Sequence, residues 1–289
     1  MPQEGSRLEK KISIQEALLV WTQLETDTAR LDVECLLCHS LDCDSTYLRT
    51  WPERILTSEE YDYFQALLAR RVKGEPIAHI CGTRSFWTLD LLVTPDTLIP
   101  RPDTEVLVET VLANHQELSL NCLDLGTGTG AIALALASEK SGWQIDAIDF
   151  QKEAVALAKS NGQRLGFKDV NIYQSDWFSN VDSQKRFDVI VSNPPYIDAL
   201  DKHLEQGDVK FEPKSALVSA DSGYADIENI IKNSKNYLKE HAWLYFEHGF
   251  EQAKQIQRLF AQHGFSEATT VKDYNDNDRV TYACYKRLD

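Results

Sequence analysis

The segment Asp124-Leu125-Gly126-Thr127-Gly128-Thr129-Gly130-Ala131 constrains this chain more than any other. A short apolar run, Asn121–Leu125, reads as a strand. Three glycines at alternate positions follow, and the helix-forming run Ala131–Ser138 lies directly behind them. Such glycines let the backbone turn sharply and approach a ligand closely, and the helix N-terminus offers unpaired N–H groups. The alternation continues on both sides. A helix over Thr104–Gln116 precedes the loop, and strand Gln144–Ile148, helix Ala154–Leu165 and strands Asn171–Gln174 and Phe187–Ser192 follow it. Helix Ala225–Leu238, strand Ala242–Glu247, helix Glu251–Gln262 and strands near Ala268–Lys272 and Arg279–Lys286 close the pattern. Alternating β and α elements predict an α/β fold with a doubly wound, seven-stranded, mostly parallel sheet. Ligands of such sheets sit beyond the carboxyl ends of the strands, so the residue after each strand is where function is sought.

The N-terminal part has another character. Ile12–Leu24 and Ala29–Leu41 carry helical apolar spacing, the second behind a cap at Thr26 or Asp27. Thr57-Ser58-Glu59-Glu60 is a capping-box pattern, opening a helix through Phe64, Leu67 and Leu68 that should stop near Gly74. Phe86–Val93 is rich in β-favouring residues, and Thr94-Pro95-Asp96 and Ile99-Pro100-Arg101-Pro102 interrupt it, which predicts a hairpin and a proline-stiffened connector. The expected division is a helical domain over 1–73, a linker over 74–101 and the sheet domain over 102–289.

Charge narrows the partners. With 45 acidic against 30 basic residues the net charge is −15. Coating duplex DNA needs clustered Lys and Arg to neutralise phosphates, so direct nucleic-acid binding is disfavoured. No stretch approaches the ~20 apolar residues of a membrane helix. The polar stretch Met1–Lys11 and the short apolar run Ala17–Trp21 do not resemble a signal peptide, which leads to the expectation of a cytoplasmic protein. The six cysteines are too sparse for a disulfide scaffold. Cys35-x-x-Cys38-His39 matches the haem-attachment pattern, and Cys43 could add a zinc ligand. The flanking Leu31, Val33, Leu36 and Leu37 instead make these thiols small core residues on a helix, and no metal is expected.

The glycine loop alone leaves two cofactors open. Gly126-x-Gly128-x-x-Ala131 fits the dinucleotide fingerprint, and Asp149, ending the second sheet strand, suits a ribose-binding carboxylate for either NAD or S-adenosylmethionine. The fourth strand decides. Val189-Ile190-Val191-Ser192 runs into Asn193-Pro194-Pro195-Tyr196. An Asn side-chain oxygen and a proline carbonyl on a stiffened backbone form a two-acceptor fork for a planar –NH2 group, and a Tyr ring supplies a stacking face.

Asp-Leu-Gly-Thr-Gly-Thr-Gly followed by Asn-Pro-Pro-Tyr resembles the class I S-adenosylmethionine-dependent methyltransferases that act on amide or exocyclic amino nitrogens. Gly74–Trp87, Leu98–Glu105, Phe211-Glu212-Pro213 and Phe246-Glu247-His248-Gly249 narrow the resemblance to the HemK/PrmC family, the release-factor glutamine N5-methyltransferases. It spans nearly the whole chain, weakly in the N-terminal part and strongly over 74–285. The resemblance implies that Gly126, Thr127, Gly128, Thr129 and Gly130 wrap the methionine part of the cofactor and that Asp149 holds the ribose. It also implies that Asp176 and Trp177, behind Ser175, meet the adenine. Asn193 would stand between cofactor and substrate, accepting from the glutamine amide. Pro194 would lend its carbonyl, and Pro195 and Tyr196 would pack around the amide. The implied partner is a class I peptide chain release factor presenting its GGQ loop, met by a monomeric enzyme. An amide nitrogen cannot be deprotonated by an ordinary base, so His79, His203 and His248 are expected to be structural.

Three other readings compete. A DNA adenine-N6 methyltransferase would use the same fork on a flipped base, but no target-recognition region follows the sheet pattern and the charge opposes it. An NAD-dependent oxidoreductase has no use for Asn193–Tyr196. A non-catalytic release-factor-binding protein would leave both intact motifs without a role.

Overall fold

The computed structural model describes residues 11–286. The residues before them, including most of the Met1–Lys11 stretch and the start of the expected helical domain, lie outside the described part. The chain divides into two compact units, one ending at Gly82 and the other beginning at Thr83. The segment 74–101 falls on both sides of that division, with helix Ile77–Cys81 in the first unit and a hairpin in the second.

In the first unit, helix Ser58–Val72 opens on the expected capping box. The Thr57 hydroxyl accepts from Glu60 N, and the Glu60 carboxylate accepts from Thr57 N. Gly74 follows its end at φ +89°. Helix Ala29–Leu41 packs Val33, Leu36 and Leu37 against Phe64, Leu67 and Leu68. A buried ion pair, Arg71 Nε to Asp32 Oδ2 at 2.7 Å, clamps the two helices together. Neither expected cap of Ala29–Leu41 acts as one. Thr28 occupies the N-cap without a side-chain bond, and the Thr26 hydroxyl donates to Asp32 instead. The helix expected over Ile12–Leu24 is shorter. Ser13 and Glu16 form a capping box for Ile14–Leu18, and the chain then tightens into a 3₁₀ helix over Leu19–Gln23. Cys35, Cys38, Cys43 and Cys81 are half-buried thiols, and burial pushes the Cys38 thiol up to about 12.

The second unit begins with the antiparallel hairpin β1 (Thr83–Phe86) and β2 (Leu89–Leu92). Seven further strands form the sheet: β3 (Asn121–Leu125), β4 (Gln144–Asp149), β5 (Asn171–Gln174), β6 (Phe187–Ser192), β7 (Leu238–Glu247), β8 (Phe265–Lys272) and β9 (Asp278–Tyr285). Their order is β5-β4-β3-β6-β7-β9-β8. Pairing from β5 through β7 is parallel, and β9 is antiparallel to both its neighbours. The expected helix Ala225–Leu238 stops at Ser234, because Leu238 already pairs with Phe187 as the first residue of β7.

Side-chain alternation splits the core into two layers. Cys122, Val189, Val191 and Tyr245 face helices Glu105–Asn114, Ala131–Glu139 and Lys152–Leu165. Leu123, Leu125, Ile190, Leu244 and Phe246 face helices Ala225–Ser234 and Ala253–Gln262. Strands buried on both faces need continuous apolar runs, which is why β3 and β6 read so plainly in the sequence. The strand order reverses between β3 and β6, and their carboxyl ends flank the crevice where ligands of such sheets bind.

Candidate active site

Two cavities open at that reversal. The larger, about 360 Å³, is lined by residues of the loop after β3, by Asp149 at the end of β4, by Trp177 after β5 and by Asn193 and Pro195 after β6. The smaller, about 140 Å³, is lined by Leu98, Arg101, Asn193, Pro194, Tyr196 and neighbours from 197–217. Asn193 lines both.

The glycine loop is shaped by φ values that L side chains resist. Gly126, Gly128 and Gly130 lie at φ +75°, +55° and +86°. A Cβ on Gly128 would meet nothing within 4 Å, so the backbone there is bare toward the cavity, whereas a Cβ on Gly130 would press Leu134 Cδ1 at 3.0 Å. Beneath the loop, fully buried Asp124 accepts the Thr127 hydroxyl at 2.6 Å and Ala133 N at 3.2 Å, tying the turn to the start of its helix. Its Oδ1 has no hydrogen-bond partner, and burial pushes its carboxyl up to about 7. Asn161, also fully buried, fastens the loop from the other side. Its Nδ2 donates to the Thr129 and Leu92 carbonyls, and its Oδ1 accepts from Leu92 N.

Asp149 accepts Gly128 N–H through one oxygen and Gln151 N–H through the other, both at 2.9 Å. Burial raises its carboxyl above the usual range. Each oxygen keeps a lone pair, so hydroxyl donors from the cavity would relieve that desolvation. Trp177 stands across the cavity at φ +44°, a conformation costly for a bulky residue. Buried Ser175 holds it there, donating its hydroxyl to the Trp177 carbonyl at 2.6 Å and accepting from Asn180 N. These features fit S-adenosylmethionine. A bare turn can admit a carboxylate and amine, a carboxylate with spare acceptors can take a diol, and an indole face can meet a purine, all within the volume range of small-molecule sites.

At the other loop, Asn193 Nδ2 donates to the Thr104 hydroxyl at 3.3 Å, which leaves Oδ1 for the cavities. Pro194 is buried. The Tyr196 hydroxyl donates to Glu247 Oε1 at 3.4 Å, and the Tyr196 carbonyl accepts from Gln252 Nε2. Gly223 lies so close to that carbonyl that a Cβ would sit 2.1 Å from its oxygen. The proline-rich segment is pinned by buried Glu212, which accepts Ile99 N at 2.9 Å and Arg101 Nη2 at 2.5 Å.

The larger cavity therefore gathers Gly126, Thr127, Gly128, Thr129, Asp149, Asp176, Trp177, Asn193 and Pro195, while Pro194 and Tyr196 line the smaller one with Asn193. Gly130 lines neither; it closes the turn onto Leu134. Sequence reasoning did not single out Asn161 or Gly223, whose partners are far along the chain, and it gave Thr104, inside the motif Leu98–Glu105, no role of its own. Glu212 and Glu247 did stand inside quoted motifs. His248 is fully buried, bonded to the Gly249 carbonyl through Nδ1 and to Thr281 through Nε2, and burial pushes it down to about 4. His203 bonds Asp201 at the surface. Among the described residues no group of three or more His, Cys, Asp or Glu could hold a metal ion, and no helix is long and apolar enough to cross a membrane.

Comparison with known proteins agrees with this geometry. Residues 14–82 match the PrmC N-terminal domain and residues 102–210 the methyltransferase small domain. A crystal structure of a methyltransferase from Pyrococcus furiosus superposes with a TM-score of 0.53 at 17% identity, covering 78% of this chain and 100% of that one, which speaks to the fold alone. The release factor glutamine methyltransferase of Shewanella oneidensis is 52% identical over 89% of both chains. That of Escherichia coli K12 is 51% identical over 90% of this chain and 94% of its own. Identity at that level along nearly the full length of both proteins exceeds what a shared fold enforces, and this chain belongs to the release factor glutamine methyltransferase family.

Proposed function

We propose that this chain transfers a methyl group from S-adenosylmethionine to the side-chain amide nitrogen, N5, of the glutamine in the GGQ loop of class I peptide chain release factors. It would do so as a monomer in the cytoplasm, without touching nucleic acid directly. The observation that carries the reading is that Asn193 lines both cavities and presents an oxygen, its nitrogen being committed to Thr104.

When bound, the cofactor supplies a methyl group made electrophilic by its sulfonium. The chain's own residues have the harder task, because an amide nitrogen shares its lone pair with the carbonyl, as the ~18–20 kcal/mol rotation barrier shows. No base of ordinary strength removes its proton beforehand. Asn193 Oδ1 and the Pro194 carbonyl would accept the two N–H groups and aim the nitrogen at the larger cavity, with Tyr196 packed beside the amide. Such orientation can contribute ~7–11 kcal/mol. As the nitrogen becomes cationic, both acceptors hold its protons more strongly, so they bind the transition state better than the ground state. With the new C–N bond formed and the methyl's C–S bond broken, the strongly acidic N-methyl amide cation would release one proton to water. Thr127, Thr129 and the glycines would hold the methionine end, Asp149 the ribose, and Asp176 and Trp177 the purine. For the first unit we propose a role in gripping the body of the release factor.

The test is mass spectrometry of a release factor incubated with isotopically labelled S-adenosylmethionine and this protein. One labelled methyl on the GGQ glutamine is the expected result. Label appearing instead on adenine N6 of added DNA would transfer the site to nucleic-acid chemistry.

A further inference from the structure

Among the described residues, Leu98, Asn193 and Ala216 line both cavities, and no other residue does. They come from separate segments: the connector after β2, the loop after β6 and the 3₁₀ turn Lys214–Ala216. All of them are half-buried. Cavities that share the same lining residues meet where those residues stand, so a group that crosses from one cavity to the other passes among them.

Hydrogen bonds lace these segments into a closed ring. Buried Glu212 accepts Ile99 N at 2.9 Å, which fastens the residue after Leu98 to the segment leading into the turn. Within that turn Ala216 N donates to the Pro213 carbonyl at 2.9 Å. Ile197 N donates to the Leu217 carbonyl at 2.9 Å and Ser219 N to the Ile197 carbonyl at 3.1 Å, joining the turn to the loop that carries Asn193. Asn193 Nδ2 closes the ring on Thr104, in the 3₁₀ turn that follows the connector. Walls tied to one another in this way resist spreading, so the side chains that line the passage set its width. Asn193 is its polar member. Leu98 and Ala216 offer no hydrogen bond, and what an apolar side chain contributes there is bulk.

We propose that Leu98 and Ala216 are specificity-determining residues: with Asn193 they form a collar around the alkyl group in transfer, and their bulk restricts that group to methyl. The inference rests on the reading of the larger cavity as the cofactor site and the smaller as the place of the glutamine amide. At the collar the amide nitrogen bonds to the alkyl carbon, the carbon–sulfur bond breaks with its electron pair staying on sulfur, and the surplus proton of the nitrogen goes to water. A methyl and an ethyl group follow the same course and differ by one methylene. In an apolar pocket that difference changes discrimination ~10–200-fold.

Calorimetry on the full-length protein tests this without turnover. The ligands are S-adenosylmethionine, its S-ethyl analogue S-adenosylethionine, and S-adenosylhomocysteine, which carries no transferable group. The parent should bind the methyl sulfonium more tightly than the ethyl one. Leu98→Ala, which trims one wall, should shift the ratio of their dissociation constants toward the ethyl ligand by ~10-fold or more. Ala216→Val, which thickens another wall, should shift it the opposite way by a comparable factor. S-adenosylhomocysteine should bind both variants within about two-fold of the parent, the mark of an intact fold and cavity. Single-turnover transfer to a release factor at saturating cofactor gives a second readout. The ethyl-to-methyl rate ratio, taken relative to the parent, should move in the same directions. The lower intrinsic reactivity of an ethyl group cancels in that comparison, and so does any loss of folded protein. If the binding and rate ratios stay within about two-fold of the parent in both variants while the parent methylates the glutamine, the collar is overturned and the reading of the cavities stands. Ratios that move with one residue alone overturn it too, because both are claimed to bound one passage. If the parent transfers no methyl to the glutamine, the reading of the cavities falls and takes the collar with it.

Discussion

The two loops that meet at the reversal of strand order solve different problems with opposite means. The loop after β3 contributes backbone: three glycines at positive φ, a bare face toward the cavity and no reactive side chain. The loop after β6 contributes one amide oxygen and a carbonyl on a chain stiffened by Pro194 and Pro195, with Tyr196 anchored at both its hydroxyl and its carbonyl. A cofactor bound for shape and polar edges needs conformations that only glycine adopts cheaply. A weakly nucleophilic nitrogen needs acceptors that do not move. Damage to the first loop should therefore appear in affinity, and damage to the second in turnover.

The largest effect tests that division directly. Asn193→Ala should lower kcat by ~10²–10³, comparable to removing one oxyanion-hole donor, with cofactor binding nearly intact. Asn193→Asp should retain more activity than Ala but less than Asn. A carboxylate also accepts from –NH2, yet its charge would draw the sulfonium into an unproductive pose. Single-turnover rates beside calorimetric affinities measure both. Loss of cofactor affinity in Asn193→Ala as large as the loss of rate would dissolve the distinction between the loops.

Asp149→Ala is the reciprocal experiment. Losing a charge-assisted bond to a ribose hydroxyl should weaken cofactor binding by ~1.5–3 kcal/mol while leaving the rate at saturating cofactor close to parental. Asp149 also accepts Gly128 N–H, so part of this loss reflects a looser turn rather than a missing contact. Unchanged affinity would move the ribose elsewhere.

The contrast between the loops also explains what the sequence could reveal. Each motif sits directly after an apolar strand, and the first also has its helix directly behind it, so Gly126–Gly130 and Asn193–Tyr196 are local patterns. Their supports are not local. Asn193 meets Thr104 across 89 positions, Asn161 meets Leu92 across 69 and Glu212 meets Ile99 across 113. No periodicity encodes such pairs. The motif fragments Phe211-Glu212-Pro213 and Phe246-Glu247-His248-Gly249 carried the signal without its meaning; the carboxylate of each is a buried acceptor for a neighbouring segment. The helix over Ile12–Leu24 was overextended for a local reason. Ser13-x-x-Glu16 is itself a capping box, and the tightening into a 3₁₀ turn after Leu18 leaves apolar spacing nearly unchanged. The stretch between Tyr196 and Ala225 holds only short 3₁₀ turns and a four-residue helix, too short to leave a period in the sequence.

Gly130→Ala should cost less than either site substitution but in a different quantity. A Cβ at φ +86° costs ~1–2 kcal/mol by its backbone conformation alone. Leu134 would also have to give way from 3.0 Å. The expected outcome is a lowered denaturation midpoint, with any loss of cofactor affinity no greater than the loss of stability. Since Gly130 lines neither cavity, a selective collapse of affinity in a fully stable variant would mean that the turn itself contacts the cofactor.

The smallest effect concerns a likeness beneath the contrast. Each loop rests on a buried carboxylate with one oxygen unpartnered, Asp124 under the glycine turn and Glu247 beside Asn193, and burial pushes both to about 7. A carboxyl whose folded pKa lies above its unfolded value binds its proton more tightly in the folded state. Its contribution to stability therefore grows as pH falls through the folded pKa and levels off below the unfolded one. Between about pH 8 and about pH 6.5 each group should add on the order of 1 kcal/mol. His248 and His115, held neutral by burial, act in the opposite sense, losing stability as pH falls through the ordinary histidine range. They are common to parent and variants, so the difference isolates the carboxylates. Asp124→Asn and Glu247→Gln should each flatten the rise in denaturation midpoint over that interval by a similar amount, and the double variant by about the sum, since the two sites share no partner. If only Asp124→Asn flattens it, Glu247 does not titrate over that interval, and the likeness between the two loops fails.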